Sequence, residues 1–70
     1  MKYIDLVEIT KGVAKGLYPI LLAKPGTIKN ALDDIMGYAT EELNSYEIRM
    51  KLMPILLDTA LNCRDAEGTA

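Results

Sequence analysis

Between Ser45 and Cys63, Glu47, Lys51, Pro54, Asp58 and Asn62 fall on one narrow stripe of a helical projection, and nearly everything around that stripe is apolar. Ile48, Leu52, Met53, Ile55, Leu56, Ala60 and Cys63 cover a wide arc, and Met50, Leu57 and Leu61 carry it round the back. An ordinary surface helix needs an apolar stripe of roughly a third of its circumference. A helix this greasy needs neighbours on more than one side, so the chain is expected to be an all-α bundle with this last helix longest and central.

Length sharpens that demand. The 70 residues make a single small helical domain, 1–70, and a core of that size supplies only about 3–5 kcal/mol without disulfides, metal or oligomerisation. Cys63 is the only cysteine and there is no histidine, which removes an internal disulfide and the commonest transition-metal ligand. Oligomerisation is the remaining route to extra stability, and a homodimer or higher oligomer is expected to complete the core. Half the residues are hydrophobic, yet Phe and Trp are absent. The core must be built from Leu, Ile, Val, Ala and Met, a helical palette, with Tyr3, Tyr18, Tyr38 and Tyr46 at its margins.

Local signals divide the chain into three or four helices. Asp5 and Glu8 have capping-box spacing and open the apolar pattern Leu6, Ile9, Val13, Leu17, Ile20. Gly12, Gly16 and Pro19 weaken that helix, each interior glycine by about 1 kcal/mol and an interior proline by about 3. A break at Gly16, with Pro19 starting a separate short helix, is slightly favoured over a continuous kinked helix. Lys24-Pro25-Gly26 is a stop and turn, Thr27 the N-cap of a helix over Ile28 to Met36, and Gly37 its end. Thr40-Glu41-Glu42 reads as a third start or a single turn, and Asn44 with Glu47 as the capping box of the last helix. That helix is expected to end near Cys63, and residues 64–70, polar and without an apolar pattern, to fray.

Leu52-Met53-Pro54-Ile55-Leu56-Leu57 repeats Leu17-Tyr18-Pro19-Ile20-Leu21-Leu22, placed 35 positions earlier. The capping signals of the two halves do not line up, so two independently kinked Leu-rich helices explain the repeat better than duplication. Gly12, Gly16, Pro19 and Ala23 share one helical side, which either lets another backbone approach closely or merely weakens the helix.

Charge limits the partners. The net charge is −2, the cations are scattered singly, and no basic stripe offers itself to a phosphate backbone. A helix-turn-helix reading would make Ile28 to Met36 the first helix and Ser45 to Met53 the reader. That reader carries one arginine and a repelling glutamate, after a connection longer than the usual three- or four-residue turn. From Asp33 to Glu47 the charges are all acidic: Asp33, Asp34, Glu41, Glu42 and Glu47. No EF-hand spacing is present, so no metal is expected, and helix N-terminal acids or an acidic docking patch explain the segment.

Nothing gathers a nucleophile, base and oxyanion site, and no phosphate-binding glycine loop is present. Cys63, near a helix C-terminus, is expected to pack rather than react. No cofactor is expected. The early charges leave no signal-peptide apolar region and no apolar run approaches a span of roughly 20 residues. A cytoplasmic protein with no membrane contact is the default.

The expected function is non-enzymatic: a small accessory or regulatory protein-interaction module of a size and composition common among phage and mobile-element factors. It would self-associate, and dock to a larger protein target, through Met50, Met53, Leu57 and Leu61, with Glu41, Glu42 and Glu47 at the edge. A helix-turn-helix DNA-binding regulator is the alternative. A small structural subunit of a larger assembly, such as a viral particle, is the third reading.

Overall fold

The computed structural model describes residues 1–68 and is helical in all its regular elements: α1 (Tyr3–Ala23), α2 (Gly26–Met36) and α3 (Tyr46–Gly68). A small helical bundle is therefore the architecture. α3 is the longest element, but it shares the centre with α1: the α1–α3 packing is the most extensive, and α2 lies against both. The core is Leu6, Val7, Ala14 and Leu21 from α1, Ala31, Leu32, Ile35 and Met36 from α2, and Leu52, Leu56 and Ala60 from α3. Ala14 and Ala60 are fully buried. Small side chains at such positions let helix axes approach, as close packing requires.

The projected faces of α3 are those the sequence implies. Glu47, Lys51, Pro54, Asp58 and Asn62 are all exposed, whereas Leu52, Leu56 and Ala60 are buried. The lone chain shelters more of the wide arc than expected: Ile48, Met53, Ile55, Leu57, Leu61 and Cys63 are half-buried, and Met50 alone among the arc residues is exposed. The total accessible area, 4587 Å², is close to the ~4,300 Å² of a folded monomer of this mass.

Several boundaries differ from the sequence expectation, each for a local reason. α1 starts at Tyr3 rather than Asp5, because the Lys2 backbone N–H donates to Asp5 Oδ2 at 2.7 Å; Asp5 thus caps from inside the first turn. The break at Gly16 does not occur, and α1 runs through Gly12, Gly16 and Pro19 to Ala23. All three weak positions are exposed, so the Lys15 carbonyl orphaned by Pro19 meets water. Ending the helix at Gly16 would forfeit the burial of Leu21 and the half-burial of Tyr18 and Leu22, worth about 1.5–3 kcal/mol for each fully buried side chain.

α3 continues to Gly68, past the expected end at Cys63. One proximity bears on both extensions: the Glu67 carboxylate beside the Tyr18 phenol, with burial, raises the phenol's pKa above its ordinary value. The stretch expected to fray is helical as far as Gly68, and Thr69 and Ala70 lie outside the described residues.

Thr27 does not cap α2. It lies inside that helix, and its hydroxyl donates at the end of α1, 2.7 Å from the carbonyl oxygen of Lys24, the residue that follows the helix, and 3.3 Å from that of Ile20. Gly37 ends α2 with a right-handed φ of −63°; a Cβ there would stand 3.1 Å from the Asp34 carbonyl oxygen, so space rather than handedness favours glycine. Thr40 to Leu43 is a single turn, closed by the Leu43 and Asn44 N–H groups on the Thr40 carbonyl. The cap of α3 is Ser45, not Asn44: Ser45 Oγ accepts the Ile48 N–H at 3.2 Å.

The repeated hexapeptides match in environment at the proline and the leucine two positions after it, but not at their first residue, where Leu17 is exposed and Leu52 buried. Pro19 and Pro54 face water, and Leu21 and Leu56 are buried. A proline pointed outward puts the residue two positions later on the opposite side of a helix, which accounts for the resemblance. Shifted by half the chain, α1 overlays the Thr40–Leu43 turn together with the start of α3, so the elements of the two halves do not coincide.

Candidate functional site

α2 lies against α3, and between α2 and the N-terminal part of α3 lies an open groove of about 430 Å³. Its apolar lining is Pro25, Ile28, Leu32, Tyr46, Met50 and Met53, and the only charged lining groups are Lys29 and Arg49. Tyr46 is 76% exposed and Met50 40%. Met50 and Met53, expected from the sequence as contact residues, therefore meet in one groove. Leu57 and Leu61 continue the same side of α3 beyond it and are half-buried.

The acids expected at the edge are placed elsewhere. Glu41 and Glu42 project from the exposed turn, and Glu47 pairs with Lys51 at 3.5 Å on the outer side of α3. None of the three lines the groove, whose charged groups are cations. Tyr46, Ile28 and Leu32 were not singled out by the sequence as contact residues. An aromatic in the first turn of a helix with a broad apolar arc was the available signal for Tyr46; nothing local pairs α2 with α3.

Arg49 fixes how the two helices meet. Its guanidinium pairs with Asp33 and donates to the Lys29 carbonyl at 3.3 Å, while Lys29 Nζ lies 3.8 Å from the same Asp33 carboxylate. Arg49, then Lys29, holds the Asp33 carboxyl below the ordinary aspartate range, against a smaller opposing push from burial. A lowered native pKa means that protonation favours the unfolded chain. The tether's contribution is complete above the ordinary aspartate value of about 3.9 and is lost as pH falls through the lower native value. A series of thermal melts is expected to show a fall in Tm on acidification below about pH 4 that is shallower in Asp33→Asn; equal slopes would show that the pair holds nothing.

The same contacts bear on the base-reading alternative, because the arginine of the would-be recognition segment is already engaged by α2. A second cleft, between α1 and α2, is lined by Val13, Leu17, Ile35 and Tyr38 with Asp33 and Asp34. Among the described residues no group of three or more acidic or cysteine side chains is arranged to hold a metal ion, and no helix is long and apolar enough to cross a membrane. Comparison with protein-family models, curated proteins and solved structures gives no match.

Proposed function

We propose that the chain is a non-enzymatic protein-interaction module, an accessory or regulatory factor that self-associates through one side of α3 and docks to a larger protein. The observation that carries this reading is the exposure of Tyr46 and Met50 beside an apolar-floored groove. Met53, Leu57 and Leu61 extend the apolar side along α3. Methionines suit such a surface because their unbranched thioether chains repack against differing partners, and an open groove between helices is a common seat for an apolar segment.

Self-association is tested by sedimentation across protein concentration. The wild type is expected to dimerise in the micromolar range and Met50→Glu to raise the dimer Kd at least tenfold, with unchanged helicity because Met50 is exposed. A folded wild-type monomer at the highest concentrations would overturn the reading.

A further inference from the structure

We propose that the groove between α2 and α3 is filled by the Tyr38–Glu42 turn of a second copy of this chain. The inference rests on the self-association proposed above and names its contact. From Ile9 to Leu32 the only charged residues are Lys11, Lys15, Lys24 and Lys29, and from Asp33 to Glu47 only acids occur. In the fold, Asp33 and Glu47, at the two ends of the acidic segment, are paired with cations of their own subunit, and Glu41 and Glu42 between them are not, among the described residues. Lys29 and Arg49, the groove's two cations, share a single carboxylate, Asp33, within their own subunit, so one positive charge at the groove lacks a counter-charge there.

The turn has the complementary character. Glu41 and Glu42 are exposed and, among the described residues, form no ion pair, and Tyr38, a few residues before them in the chain, is 63% exposed. Leu43 and Asn44 N–H groups on the Thr40 carbonyl hold the turn in one shape, which reduces the ordering cost of binding. An aromatic ring with a polar tip matches an apolar floor edged by cations, and Ile28, Leu32, Met50 and Met53 provide that floor. In a two-fold pair each copy offers both groove and turn, so the contact is made twice. Charge complementarity of this kind selects the partner and the register as much as it adds affinity.

The experiment is a charge exchange read by sedimentation, with circular dichroism as the folding control. Lys29→Glu and the double variant Glu41→Lys/Glu42→Lys are each expected to raise the dimer Kd at least tenfold alone. Mixed one to one they are expected to dimerise again, since one contact is then native and the other has its charges reversed as a pair. Lys29→Gln, which places no acid beside Asp33, and Tyr38→Ser are the second variants of groove and turn, and each is expected to weaken the dimer as well. A wild-type dimer that none of these changes affects, or variants that weaken it with no rescue on mixing, would overturn this contact and leave self-association standing. A wild-type monomer would overturn both.

Discussion

Leu56→Ala leaves most of the chain unfolded at 25 °C, with the far-UV helical signal lost or the urea midpoint driven close to zero. Leu56 is fully buried at the α1–α3 centre, and truncating such a leucine costs about 2–5 kcal/mol, made up of lost transfer energy and the cavity left behind. A single core of this size supplies about 3–5 kcal/mol in all. The loss therefore matches the whole. The repeat provides an internal control: Leu52 is fully buried, whereas its counterpart Leu17 is 46% exposed, so Leu52→Ala should resemble Leu56→Ala and Leu17→Ala should remain folded. Equal effects at Leu17 and Leu52 would show that the core is placed wrongly. A dimer shifts the threshold without altering the order, because association adds stability that grows with protein concentration.

What the sequence made legible was whatever a single helix carries in itself. The polar stripe of α3 and its burial of Leu52, Leu56 and Ala60 follow from periodicity, and the outward face of Pro54 follows from the same projection. Boundaries were less legible because contacts distant in sequence decide them. Tyr18 reaches Glu67, Thr27 closes the end of α1, and burial of Leu21 holds α1 together across two glycines and a proline. The groove was half legible. Met50 and Met53 stood out by type and spacing, but Ile28 and Leu32 become their neighbours only through the packing of α2 on α3, and no local pattern announces a contact so far apart in the chain. Glu41 and Glu42 were expected at the edge of the apolar surface of their own subunit; the fold puts them on an exposed turn that does not line the groove.

Gly12→Ala/Gly16→Ala should be the most stabilising simple change available to this chain. Both glycines lie inside α1 with no positive φ, and a Cβ at either would meet nothing within 4 Å. Alanine therefore brings no clash. It removes the backbone freedom that glycine gives the unfolded chain, worth about 0.4–1 kcal/mol per site. Together the two changes add about 1–2 kcal/mol, and in a domain of this size each kcal/mol raises Tm by roughly 4–8 °C. Thermal melts should thus show a gain of about 5–15 °C, and a gain below a degree would mean that α1 is not helical through Gly16. The same variant separates two roles for the stripe of Gly12, Gly16, Pro19 and Ala23. Were that stripe the place where a second backbone approaches, two added methyl groups would hold the copies apart and weaken the dimer. With the α2–α3 groove and the acidic turn as the contact, the outer side of α1 faces water, and the dimer Kd should stay where it is while Tm rises.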